Sequence, residues 1–442
     1  MTTTPLGTRS AAPPAARREL LAATAGALVE GYDWGIYSTL AVYYSVQVFP
    51  GQSPTAKLLL AFASFAAGFL MRPFGSALFG RISDTKGRRF ALTLGMAVAS
   101  LALLFIAVVP TYAAIGAASP IIVVLARLVQ GLAMGGEKAI AATYVVETAP
   151  PRRRFTYAAI AYCGDVLSGI VGFGTTALLL AIFGSEGMTN GAWRISFGFG
   201  ALLGITALWI RSSAKESAVF LAHRNSAREP RTRALLRANA RSVCAVFLLV
   251  IGGTTSYYFG VTYLPQYAWR DLGVLSDTAA DAYINIAFVA MFAAMLVSGR
   301  LADRFGPLRV TRAGIIAVAV CTVPLMLALR TGALPFFVVA PLYLIVIAFP
   351  IGISNVFYCQ LFPTAIRSIG MGIPNAVAVA AFGGTLPMVA TALGEGGNSI
   401  LVPWLITAAA VIAFGGSLLV PAVHHRAVTA WPEAPAAVPP TS

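Results

Sequence analysis

The sequence predicts an all-α membrane protein of twelve transmembrane helices in two pseudo-symmetric six-helix bundles. Composition, the length and number of the apolar runs, and a motif that recurs half a chain apart predict it. Of 442 residues, 58% are hydrophobic and 11% are charged, with a mean hydropathy of +0.79. A soluble globular domain carries about 25% charged residues, so lipid must solvate much of this surface. A helix needs about 20 mostly apolar residues to cross a bilayer. Such runs fall at 18–46, 56–80, 90–110, 119–147, 155–183 and 193–212, then at 242–268, 279–301, 309–330, 335–361, 366–393 and 400–423. They must be helices, because a strand edge facing lipid would leave backbone groups unpaired.

The polar stretches between these runs divide the chain. Residues 1–17 read as a disordered arm, 18–212 as the first bundle, 213–241 as a linker, 242–423 as the second bundle and 424–442 as a tail. Arg17 and Arg18 precede an apolar stretch that starts like a signal peptide. It runs on through Glu30 and Asp33, so it reads as an uncleaved first helix. With the N-terminus placed inside, Lys57, Arg194, Arg270 and Arg330 fall outside and Arg72, Arg127 and Lys138 fall within spans. The rest of the 31 Lys and Arg lie on the inner side, a strong positive-inside bias that puts both termini in the cytoplasm. The net charge of +15 therefore sets orientation and favours anionic lipid rather than nucleic acid. Cys163, Cys244, Cys321 and Cys359 sit in predicted helices and read as small hydrophobes. His223, His424 and His425 lie in polar segments, and no metal site, cofactor site or catalytic triad can be assembled from these residues. The reading is a non-enzyme without cofactors, expected as a monomer.

The repeat lies in two loops. Gly80 to Arg89 reads GRISDTKGRR, and Gly299 to Arg309 reads GRLADRFGPLR. Each has Gly-Arg, an Asp three residues later and a Gly three beyond that, which suits a tight turn between helices. The same turn in each half implies a duplicated bundle. GRISDTKGRR resembles the conserved inter-helix loop of the major facilitator superfamily. GALVEGYDWGIY (26–37), FAAGFLMRPFGSALFGR (65–81), ARLVQGLAMGGE (126–137), LFPTAIRSIGMG (361–372) and AFGGT (381–385) resemble its metabolite:proton symporter family. Within that family the 2-oxoglutarate and citrate carriers look closest. The resemblance implies a bacterial-type inner-membrane importer that couples a small organic anion, a di- or tricarboxylate, to protons by alternating access. Aromatic acids such as shikimate and zwitterionic osmolytes remain open as substrates, with drug:proton antiport less favoured. It also implies that the first, fourth, seventh and tenth helices line the pathway.

A charge near the bilayer centre costs at least about 2.5–3.5 kcal/mol and marks a functional site by default. Asp33 shares a helix face with Tyr37 and Tyr44 and is the first proton-coupling candidate, with Glu30 and Asp165 behind it. Arg127 and Lys138 are eleven residues apart, about 20° in rotation on an unbroken helix. Two cations on one face suit a multiply charged anion, and Arg suits bidentate carboxylate recognition. The alternative is internal pairing, Arg127 with Asp33 and Lys138 with Glu137 or Asp165. Tyr37, Gln130, Tyr258 and Asn355 complete the substrate candidates, while Arg72 and Glu137 read as structural. Asp84, Arg88, Glu147, Asp303 and Arg304 are expected to form ion pairs that open and close the cytoplasmic gate. Lys138, Asp165, Gln360 and Asn375 depart from the family pattern, and Lys138 and Asp165 suggest a compensating pair.

Overall fold

The computed structural model describes residues 14–213, 216, 221, 232–395 and 397–421; the predicted arm (1–17, but for its last helical residues), most of the linker and nearly all of the tail lie outside them. Among the described residues there is no strand. The first half holds α1 (Pro14–Thr39, continued as Ala41–Val48), α2 (Pro54–Lys86), α3 (Arg88–Val108), α4 (Ala118–Met134, then Glu137–Thr148), α5 (Arg154–Gly187) and α6 (Trp193–Ser212). The second half holds α7 (Ala240–Tyr258, prolonged by wide turns to Asp271), α8 (Asp277–Phe305), α9 (Pro307–Arg330), α10 (Phe336–Gln360), α11 (Arg367–Ala378, then Val379–Gly383 and Leu386–Glu395) and α12 (Leu401–Leu418). Ten described stretches are long and apolar enough to cross a membrane. One of them, Pro151–Ser212, holds both α5 and α6, and α1 with its internal carboxylates completes twelve.

Two boundaries differ from the expectation. The α2 and α8 helices continue beyond the apolar runs, to Lys86 and Phe305, because the loop motif is itself mostly helical. The turn is one glycine in each case, Gly87 at φ 112° and Gly306 at φ 92°. Only glycine enters that region at no steric cost, so the repeated Gly of the motif is what reverses the chain. The predicted linker (213–241) is partly helical too: Thr232–Ala238 forms a short helix and α7 already begins at Ala240.

The α1 helix packs on α5 and α6, α2 on α4, and α3 on α4 and α6. In the second half α7 packs on α11 and α12, α8 on α10, and α9 on α10 and α12. Small residues permit the closest crossings: a Cβ on Gly131 of α4 would strike the Gly68 carbonyl of α2. The halves meet through α2 with α11, α5 with α8 and α10, and the second segment of α4 with α10 and α11. Large apolar side chains such as Trp209, Leu70, Phe74 and Val320 face outward, more than 60% exposed. A soluble monomer rarely shows contiguous patches of this kind; here they are the lipid-facing belt.

Candidate functional site

Apart from the Arg88 contacts at the loop end, four ion pairs among the described residues of the first half join different helices. Arg127 of α4 meets Asp33 of α1 at 3.3 Å. Arg72 of α2 meets Glu30 of α1 at 3.3 Å. Lys138 of α4 meets Asp165 of α5 at 3.3 Å. Arg211 of α6 pairs with Glu137 of α4 and also donates to the Leu92 carbonyl at 2.9 Å. Removing one member of a buried pair strands a charge, so these pairs tie α1, α2, α4, α5 and α6 together.

Burial separates the two cations of α4: Arg127 is enclosed, while the Lys138 side chain is 30% exposed. Between the two segments Gly135 and Gly136 keep right-handed helical dihedrals (φ −59°, ψ −32° and φ −93°, ψ −13°), so Arg127 and Lys138 differ in surroundings, not in handedness of the chain. Arg127 is sealed at 0% exposure, its guanidinium 3.5 Å above the Tyr37 ring. Tyr37 is buried and hydrogen-bonded to Ser64, and Gln130 is buried beside the Asp33 carboxylate. The sequence reading placed Arg127, Tyr37 and Gln130 against substrate and Asp33 in coupling. In this conformation none of the four lines either of two cavities between the halves.

Lys138 does. A cavity of about 870 Å³, part of it open to solvent, runs between the halves. From the first half it is lined by Arg72, Lys138 and Tyr162; from the second by Tyr257, Tyr258, Ser354, Asn355, Tyr358 and Asn375, among others. Small-molecule sites are commonly concave and mostly apolar, with a few convergent polar groups, and this lining has that character. A smaller space of about 460 Å³ lies behind it, lined by Glu30, Glu137 and Asp165 and sharing Lys138, Tyr162 and Asn355 with the first. The two cations therefore front the main cavity, with their carboxylates behind.

Arg72, read from the sequence as structural, is thus a wall of the cavity. Trp34 lies between it and Arg127, 4.2 Å from the Arg72 guanidinium and 5.7 Å from that of Arg127. Sequence reasoning missed Trp34, Tyr162 and Arg211. Arg211 is the next-to-last residue of a predicted span, where a base looks like an inner-side anchor; Glu137, left without a settled partner in the sequence reading, was the available signal.

At the end carrying the Gly87 and Gly306 turns, the halves are joined by polar contacts. Arg88 donates to Asp84 at 2.8 Å, to Glu147 at 3.2 Å and across to the Thr364 carbonyl at 3.4 Å. Glu147 also pairs with Arg367 of α11 at 3.4 Å, a residue inside the LFPTAIRSIGMG string that sequence reasoning passed over. Asp303 differs from the expectation. It forms no ion pair with Arg304 but accepts from the backbone N–H of Phe155 and Thr156 at 2.8 and 2.9 Å and from the Thr156 hydroxyl at 2.6 Å. It therefore caps α5 of the opposite half, where unpaired N–H groups and the helix dipole favour an anion. Asp84 lies correspondingly over Ser368 and Ile369 at the start of α11. Arg304 points outward and stacks on Phe305 at 5.2 Å, so it takes no part in the closure.

Behind this closure Cys359 is fully buried, 3.6 Å from Thr143, whose hydroxyl also meets Ser368. Asp303→Ala removes three acceptor contacts, and hydrogen bonds to charged groups are worth about 1.5–3 kcal/mol each. In a chain with Cys163, Cys244 and Cys321 replaced by Ala, Asp303→Ala should speed Cys359 labelling by N-ethylmaleimide roughly tenfold or more. An unchanged rate would show that Asp303 does not hold this end shut.

The Major Facilitator Superfamily description matches residues 23–385. The alpha-ketoglutarate permease of Escherichia coli (strain K12) is 33% identical over 415 residues, covering 90% of this chain and 92% of that protein. A citrate-proton symporter of Salmonella typhi is 32% identical over 405 residues (88% and 91%), and a proline/betaine transporter of Salmonella typhimurium is 28% identical over 400 (88% and 79%). Among solved structures, the proton:xylose symporter XylE bound to 6-bromo-6-deoxy-D-glucose superposes with a TM-score of 0.75 at 20% identity, covering 90% of this chain and 94% of that one. Fold, sequence and the two-bundle arrangement agree: this chain belongs to the major facilitator superfamily of membrane transporters.

Proposed function

We propose that this protein imports a small organic dianion of the dicarboxylate type together with protons, by alternating access of its two bundles. The observation that carries this reading is the placement of Arg72 and Lys138 on the wall of one cavity, each backed by a carboxylate. Arg72 offers a fork for one carboxylate and Lys138 a compact charge for a second. Tyr258, Asn355 and the neighbouring amide and hydroxyl groups of the second half supply neutral hydrogen bonds. Glu30 and Asp165 are the groups that exchange protons as substrate competes for their cations. Asp33 and Arg127 hold α1 to α4, and the Arg88 cluster with Asp303 closes the cytoplasmic end. Residues 18–212 and 242–423 are the moving bundles, 213–241 joins them, and both termini lie in the cytoplasm. One chain builds the whole cavity, so a monomer suffices. The relatives named for alpha-ketoglutarate and citrate support the choice of a carboxylate.

A second reading is a zwitterionic osmolyte. It draws support from the relatives named for proline and betaine and from four tyrosines on the cavity wall (Tyr162, Tyr257, Tyr258 and Tyr358). Aromatic faces attract quaternary ammonium groups. Proteoliposomes offered 2-oxoglutarate, citrate, shikimate and glycine betaine, with and without an inward proton gradient, separate the two. The expected result is gradient-driven accumulation of 2-oxoglutarate that collapses with a protonophore. Accumulation of betaine without any dicarboxylate would reverse the assignment.

A further inference from the structure

Glu30, Arg72, Lys138 and Asp165 form two pairs on the cavity side of the first half, each held at 3.3 Å. Arg72 and Lys138 line the main cavity, and Glu30 and Asp165 line the space behind. With all four ionised this wall is neutral. A dianion would then arrive with two uncompensated charges in a largely desolvated site, at a cost of several kcal/mol per ion. The wall becomes dicationic when each carboxylate leaves its cation and binds a proton.

The geometry permits that exchange. Both pairs are as long as the sealed Asp33–Arg127 pair, 3.3 Å, and differ from it in that each has its cation on the main cavity wall. Arg72 Nε and Glu30 Oε2 have no hydrogen-bond partner among the described residues. The Lys138 side chain is 30% exposed, the most accessible member of the set. The groups that bear on Asp165 are Lys138, Glu30, Arg72 and the hydroxyls of Tyr162, Tyr257 and Tyr258. Glu30 has the same two cations and Asp165 around it, with Glu137 across the smaller space. Glu137 is engaged by Arg211, and the sealed Asp33–Arg127 pair contributes no net charge.

We propose that Lys138 and Asp165 form a second proton-exchange pair beside Arg72 and Glu30, so that a dianion crosses with two protons and no net charge. This rests on the dianion reading above and adds a stoichiometry to it. One substrate carboxylate replaces Glu30 on Arg72, and the other replaces Asp165 on Lys138. Each displaced carboxylate takes one proton from water on the entry side. On the exit side the substrate leaves, both ion pairs re-form and both protons are released.

The test counts protons and charge. Proteoliposomes containing a pH dye take up labelled 2-oxoglutarate at zero potential and at an inside-negative potential set with potassium and valinomycin. The expected wild-type result is two protons per 2-oxoglutarate and accumulation indifferent to potential. Asp165→Asn cannot take the second proton, so its cargo carries one net negative charge. A potential of about 100 mV then opposes accumulation by about 2.3 kcal/mol, roughly a 50-fold fall. One proton per dianion in the wild type, or a two-proton Asp165→Asn variant, overturns the second pair and leaves dianion transport standing. No uptake of any dianion by the wild type overturns both. Should Asp165→Asn fail to assemble, the wild-type proton count decides. The charge-free combination of Lys138→Met with Asp165→Asn gives an independent readout: uptake of the monoanion pyruvate with one proton, indifferent to potential. Preference for 2-oxoglutarate over pyruvate in that variant also overturns the proposal.

Discussion

Arg72→Met should weaken 2-oxoglutarate binding by about 100- to 1,000-fold, the largest binding effect expected of any single substitution here. Arg72 lines the cavity, pairs with Glu30, and lies over the rings of Trp34 and Phe69 at 4.2 and 4.6 Å. Truncating it removes the cation that a substrate carboxylate would meet, and truncating one partner of a buried hydrogen-bonded charge pair costs about 2–5 kcal/mol of binding. Arg72→Lys separates charge from shape. A lysine keeps the positive charge but loses the planar fork and the stacking surface, so an intermediate loss of roughly tenfold is expected. Calorimetric titration of purified protein reads binding without the transport cycle. Arg72→Met with wild-type affinity would remove Arg72 from the substrate site, and equal losses in both variants would mean that fork geometry, not charge, is what matters.

The second large effect is on stability. Asp33→Asn and Arg127→Met should each destabilise the protein by about 3–5 kcal/mol, because Arg127 and Asp33 are 0% and 1% exposed and meet only inside the bundle. Their combination should restore most of the melting temperature, since it leaves no charge stranded. Thermal unfolding in detergent provides the comparison. If the double variant melts as low as the worse single one, the pair does not act as a unit. If Asp33→Asn melts normally but loses proton-driven accumulation, Asp33 takes a direct part in coupling, as its place on the Tyr37 face of α1 suggests from sequence.

These expectations mark how far the sequence reaches. Helix number and duplication were legible because lipid imposes long apolar runs, and because one glycine turn recurs in each half. The Lys138–Asp165 contact was legible because each residue is out of place alone and the two explain each other. The division of labour between Arg127 and Arg72 was not. It depends on the α2–α4 crossing at Gly68 and Gly131, which the periodicity of a single helix cannot register. Asp303 was misread for a different reason. Its partners are backbone groups at a helix start far away in sequence, and no side-chain pattern announces them.

That contact has a genetic consequence. Phe155 and Thr156 donate through the main chain, so a change of side chain at Phe155 leaves its bond to Asp303 intact, and a change at Thr156 removes one bond of three. The recipient is a side chain, and even Asn at 303 would forfeit its charge. A saturation screen for growth on a transported carbon source should therefore tolerate several residues at 156 and hardly any at 303, while Phe155, fully buried in the core, is restricted by its packing and not by this bond. For this polar contact the cost of error falls on the gene segment encoding α8, while the segment encoding the start of α5 is constrained there by the packing of Phe155 alone.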